Sequence, residues 1–145
     1  MNVKFIGEHL LWGNIGHFAV VLAFAAALLA AYSFYKASDD QDPERITWFK
    51  IARTAWLLHA VSVLTIVVAL FNIIYQHYFK YYYAWRHSSR ELPVEYMISC
   101  FWEGQEGSFL LWLFWHVVLG TILSLKVSKW TPGVMAVVAL CQVAL

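Results

Sequence analysis

Long apolar runs, separated by one strongly charged segment and one mixed segment, set the pattern of this 145-residue chain. From Ile15 to Tyr35 about 20 residues pass without a formal charge. At 1.5 Å per residue that run crosses a hydrocarbon core of roughly 30 Å. A single lysine, Lys4, precedes it, and the run exceeds the apolar core of roughly 7–15 residues of a signal peptide, so it is read as a first transmembrane helix at about 15–35. The next eighteen residues, KASDDQDPERITWFKIAR, carry eight charges and a proline, too polar for lipid, and predict a surface connection with a short helical end. Thr54 to Phe79 predicts a second span, and Ser108 to Leu125 a third. After the break TPG, Val134 to Leu145 leaves twelve apolar residues, too few to cross. The helix at 132–145 is therefore expected to be a truncated fourth, in a chain that is the beginning of a larger membrane protein or one part of a split one. The fold class is all-α, a polytopic membrane helix bundle forming a single membrane domain over 1–145.

The segment between the second and third spans has its own pattern. YYYAW supplies Tyr81, Tyr82, Tyr83 and Trp85, aromatics suited to headgroup depth. Beyond Pro93, apolar residues recur as Val94, Met97, Ile98, Phe101 and Trp102, the spacing of a one-faced helix at about 94–102. Pro93 near its first turn and Glu95 beside it suit a helix start, and the segment is expected to lie in the outer interface. The chain must then reverse inward through WEGQEGSF. Gly104 and Gly107 are expected to give the backbone freedom for that turn, and Glu106 and Ser108 to cap the third span. A turn and a cap need no ligand. The functional rival is that Glu103, Gln105 and Glu106 bind something outside, because ionisable groups at a membrane boundary are costly unless capped, paired or used.

Composition supports the membrane reading and narrows the chemistry. The chain is 61% hydrophobic and only 13% charged, far from the balance of a soluble domain. Ten basic against nine acidic residues leave no basic field for nucleic acid. Cys100 and Cys141 stand 41 positions apart without CxxC, CxxCH or zinc spacing, and read as buried small hydrophobes. No P-loop, dinucleotide fingerprint, HExxH or GxSxG is present, so no catalytic residue and no metal site is assigned. Lys36, Arg45, Lys50, Arg53, Lys126 and Lys129 fall on one side of the spans, and Lys4, Lys80, Arg86 and Arg90 on the other. That six-to-four bias puts the amino terminus and the 80–106 connection outside, which in a bacterial inner membrane is the periplasm.

Three separated stretches carry a family resemblance. WEGQEGSFLLW, Trp102 to Trp112, is similar to the WGGxEGSxLLW signature of the CcmF family of cytochrome c biogenesis proteins, the haem-lyase membrane subunits. RHSSRELP resembles the family's QHSNxxLP stretch through His87, Ser88, Leu92 and Pro93, and IGHFAVVLAF resembles its LGHFALILAL opening through Gly16, His17 and Phe18. Glu103 departs from the usual glycine, and the tryptophan-rich WWD segment and later haem-holding histidines of the family are missing. The resemblance implies a membrane protein that receives haem from a membrane-tethered haem chaperone and, with other maturation subunits, helps join it to apocytochrome c. It also implies that Trp102, Gly104, Glu106, Gly107 and Ser108 form a structural or docking motif. Membrane lipid is the other expected partner. This segment is expected to be scaffold and docking surface, to hold no haem by itself and, alone, not to be catalytic.

Among the histidines, only His17 and His116 could pair as axial ligands, with a depth mismatch of about one turn, or roughly 5 Å. His87 could meet haem or a partner outside, with Arg86 and Arg90 able to contact propionates or lipid phosphates. His59, placed near the inner start of the second span, is expected to hydrogen-bond a neighbouring helix or the headgroup region. On the third span Phe109, Trp112, His116 and Leu119 form one stripe with Trp115 beside it, a pattern more often packing than cofactor site. Two other classes remain open: a transporter segment, since glycine-broken half-helices also mark substrate sites, and a cofactor-free structural membrane subunit.

Overall fold

The computed structural model describes residues 9–126 and 128–145; Lys4 lies outside the described residues. Among them all regular structure is helical: α1 (Leu11–Ala37), α2 (Arg45–Tyr75), α3 (Tyr82–His87), α4 (Val94–Met97), a 3₁₀ turn (Ser99–Phe101), α5 (Gln105–Leu125) and α6 (Thr131–Ala144). Three of them, α1, α2 and α5, are long and apolar enough to cross a membrane. The 14 residues of α6 reach only about 21 Å.

α1 and α2 form an antiparallel hairpin because each presents a stripe of small residues. On α1 the buried stripe is Ala19, Ala23, Ala26, Ala27, Ala30 and Ala37; on α2 it includes Ala52, Ala55, Ala60, Ser62 and Ala69. In lipid there is no hydrophobic drive between helices, and small side chains let backbones approach closely enough for dispersion to hold them. The short link between them is ordered by its own polar groups. Gln41 N–H donates to Asp39 (2.9 Å), Glu44 N–H to Asp42 (2.8 Å), and Arg45 Nε reaches back to the Ala37 carbonyl (3.1 Å).

The four longer helices form a ring in the order α1, α2, α5, α6, with every neighbour antiparallel. α6 packs through Met135 and Ala139 onto Ala30, Phe34 and Trp56. α5 meets α2 where Gly120 lies against the Trp56 indole, whose Nε1–H donates to Thr121 Oγ1 at 3.1 Å. Asp40 pairs with Arg45 (2.9 Å) and with Lys129 (3.5 Å), joining the α1–α2 link to the α5–α6 link at one end of the ring. Lys80, Arg86 and Arg90 belong to the connection at the other end.

Two elements differ from the sequence pattern. The second helix starts earlier and stops at Tyr75 instead of Phe79, because His77 takes a left-handed conformation (φ 55°). Tyr78 N–H then reaches the Ile73 carbonyl and His77 N–H that of Ile74, both at 3.1 Å, closing the helix end as a glycine commonly would. The expected single helix over 94–102 is also two short pieces, α4 and the 3₁₀ turn. Met97 and Cys100 are buried against Ile74, while Val94, Ile98 and Trp102 are exposed. Met97, the last residue of α4, and Cys100, in the 3₁₀ turn, share a side, whereas the full stripe read from the sequence does not form.

Candidate functional site

The end of the ring that carries α3 and α4 is built around Gly107. It lies in the first turn of α5 with ordinary helical backbone, and a Cβ there would collide with the Phe101 carbonyl and the Tyr83 hydroxyl. The glycine is thus used for close approach and not for backbone freedom. Gly104 is likewise extended (φ −99°, ψ 163°), and a Cβ would come within 3.1 Å of His87 Nε2, Glu106 Oε2 and Tyr83 Cε2. This corrects the expectation that the two glycines supply unusual dihedral angles: the reversal is made in extended and helical conformations open to any residue, and the missing side chains make room.

Tyr83 organises the cluster. Its hydroxyl donates towards the carbonyls of Cys100 (2.8 Å) and Phe101 (3.2 Å), and its ring lies 4.7 Å from that of His87. Burial pushes the Tyr83 hydroxyl up from its ordinary range, with the Glu106 carboxylate adding to the rise, while a backbone hydrogen bond at Gly104 pulls the other way. Burial, then the Glu103 charge, raises the Cys100 thiol in the same direction. Neutral forms are favoured here, so the cluster is a hydrogen-bonded support and the Cys100 thiol is a weak nucleophile.

Capping differs from expectation too. Gly104 is the N-cap of α5 and receives no side-chain cap; the Ser108 hydroxyl points back to the Gly104 carbonyl at 3.3 Å. Glu106 lies in the first turn, where the positive end of the helix dipole favours its charge. Glu103, Gln105 and Glu106 are all exposed at this end.

The structure therefore brings His87, Gly104, Glu106, Gly107 and Ser108 together around Tyr83. It leaves Trp102 at the rim, half-exposed, beside a concavity of about 500 Å³ lined by Arg86, His87, Ser88, Cys100 and Glu103. Trp112 stands apart, 62% exposed and edge-on to Phe109. His17 and His116 are not brought together. Both are exposed, and His17 Nδ1 lies 3.3 Å from the Gly13 carbonyl of its own helix. Val117, next to His116, packs at the level of Ala23, six residues or about 9 Å further along α1 than His17. The whole stripe of Phe109, Trp112, Trp115, His116 and Leu119 faces outward, while α5 buries Gly107, Val117, Gly120 and Ser124. Among the described residues no three His, Cys, Asp or Glu side chains converge as a metal site would need.

A second polar centre lies deep in the ring. His59 is 1% exposed, with Nδ1 2.9 Å from the Ala23 carbonyl on α1 and Nε2 2.7 Å from the Gln142 amide on α6. It does bond neighbouring helices, but at mid-length of α2 and not near an inner boundary, because α2 begins at Arg45. Gln142 and Tyr83 carry no site role in the sequence reading. For His59 a readable signal exists: Ala52, Ala55, His59 and Ser62 share one helical face with the small-residue stripe.

His59 and Gln142 line one wall of a cleft of about 560 Å³ between the helices, open at the exposed Val20 and Phe24 of α1 and bounded by Leu113 of α5 and, at one end, Tyr83 and Glu106. No protein-family model, curated protein or solved structure matches the chain.

Proposed function

We propose that the chain forms part of a haem lyase of the CcmF type, which helps attach haem covalently to apocytochrome c outside a bacterial inner membrane, and that this segment is scaffold and docking surface. One observation carries the reading. The two outer stretches that resemble the family, His87 to Pro93 and Trp102 to Trp112, are separated in sequence yet pack into one cluster through Tyr83, His87, Gly104 and Gly107. Residues shared with a family motif are thus residues whose size and hydrogen bonds the cluster needs.

In this reading α1, α2 and α5 cross the membrane, α6 belongs to a fourth span, and the Tyr82 to Trp102 segment rests at the periplasmic interface with Tyr82, Trp85, Tyr96 and Trp102 exposed there. The membrane-tethered haem chaperone and apocytochrome c meet the rim formed by Trp102, Glu103 and Arg86. His17 and His116 hold no haem between them, and no step of thioether formation is assigned to this chain. Its contribution is orientation: a rigid rim positions partners, and positioning supplies much of the rate of a two-component reaction.

Substituting His87→Ala and Trp102→Ala in a strain whose cytochrome c maturation depends on this chain tests the reading. The expected result is a severalfold loss of haem-stained cytochrome c per amount of chain in the membrane. An unchanged ratio, with only the amount of assembled chain reduced, would instead favour a structural membrane subunit.

A further inference from the structure

The His59 contacts assign more than a packing role. The Ala23 carbonyl can only accept, so His59 Nδ1 carries a proton. Nε2 faces, at 2.7 Å, the amide atom of Gln142 assigned as oxygen, and the other amide atom is buried without a partner. Two acceptors do not bond, so either the imidazole is protonated on both nitrogens or the amide is turned by 180°. A charged ring would sit 1% exposed beside Trp56, with no ion pair to it among the described residues. The titratable groups sharing its cleft wall are Tyr83, Glu106 and the carboxylate of Leu145; Glu106 and Leu145 are exposed, and none of the three is paired with His59 among the described residues. An uncompensated buried charge is far costlier than a turned amide. Turning the amide also exchanges an orphaned NH₂ for an orphaned carbonyl oxygen, the less costly of the two.

We infer that His59 is a neutral Nδ1–H imidazole at the centre of a one-directional latch, in which Gln142 of α6 donates to Nε2 and Nδ1–H donates to the Ala23 carbonyl of α1. The latch fixes the register of α6 on the α1–α2 hairpin and so sets the wall of the cleft. Among the described residues it is the one side-chain hydrogen bond between α6 and the hairpin, beside the apolar contacts of Met135 and Ala139. The inference rests on the bundle alone and is independent of the haem-lyase reading.

The test is ¹⁵N NMR of the labelled chain in detergent micelles, with hydrogen exchange of the same sample. A proton on His59 Nδ1, a bare Nε2 and a Gln142 NH₂ coupled to that nitrogen are expected. A proton on Nε2, or on both nitrogens, overturns the assignment without any variant. In Gln142→Met, protection of the 135–144 amides should fall about tenfold while the α1–α2 amides keep theirs, as expected for one lost hydrogen bond. Unchanged protection of α6 overturns the latch.

Discussion

A single hydroxyl carries much of the outer cluster. Tyr83 serves the carbonyls of Cys100 and Phe101 at the point where the 3₁₀ turn passes over Gly107. Because burial raises its pKa in the folded chain, the folded state holds the phenolic proton more tightly than the unfolded one. The stabilisation is therefore whole below the unfolded value of about 10 and is lost as pH rises from there through the raised folded value. Thermal unfolding in detergent at increasing pH should show an alkaline loss of stability that is smaller in Tyr83→Phe, the remainder including the raised Cys100 thiol. That variant should itself be destabilised by about 1 kcal/mol at neutral pH. An alkaline limb of equal size in both chains would assign it to another group. The glycine motif around Tyr83 is legible in sequence, but its physical use is not. Periodicity marks Gly107 as a place where something unusual happens; only packing reveals a carbonyl and a hydroxyl where a methyl would stand.

Among elements, α5 depends most on one contact. Its buried residues are few, and Gly120 against Trp56, with the Trp56 to Thr121 hydrogen bond, holds its inner half to α2. Gly120→Leu should push the indole away, break that bond and cost roughly 1–3 kcal/mol through overpacking. Hydrogen exchange should then quicken in the inner half of α5 while α1 and the outer half of α2 stay protected. Uniform quickening would mean that the bundle has no such local hinge. The apolar cores of the helices were readable, since long uncharged runs in lipid have no alternative to helix, but α2 begins at Arg45, nine residues before the expected Thr54. The end of α2 was not, because a left-handed histidine closes it where glycine is the usual signal. Nor was the 94–102 segment, whose apolar spacing fits an α-helix while its hydrogen bonds to Tyr83 and its short length favour a 3₁₀ turn.

At the scale of the molecule, the Asp40 pairs with Arg45 and Lys129 bring the two links at one end of the ring together. Single cysteines replacing Ser38 and Lys129 should therefore react with a membrane-impermeant thiol reagent from the same side, and one replacing Arg90 from the opposite side. Labelling of positions 38 and 129 from opposite sides would overturn the ring order α1, α2, α5, α6. The broad exposure of Phe18, Phe24, Trp112, Trp115 and Leu119 fits surfaces that face lipid or further protein rather than water.

The sequence by itself determined the all-helical class, the three long apolar helices and the grouping of charges at opposite ends, because each follows from local composition and from the need of every backbone group for a partner in lipid. It also marked the glycine-rich turn as distinctive. Tertiary structure decided which faces of those helices are inward. The aromatic stripe of α5, the feature most visible along the chain, points out, and the core is made mostly of alanines and Gly120 with a few large side chains, Phe34, Trp56 and Met135 among them. That inversion has a physical cause: in an apolar solvent large side chains gain nothing by burial that lipid does not already offer, whereas small ones bring backbones close. The same approach places His59 of α2 between Ala23 of α1 and Gln142 of α6, a meeting of residues from three helices that no local pattern could specify.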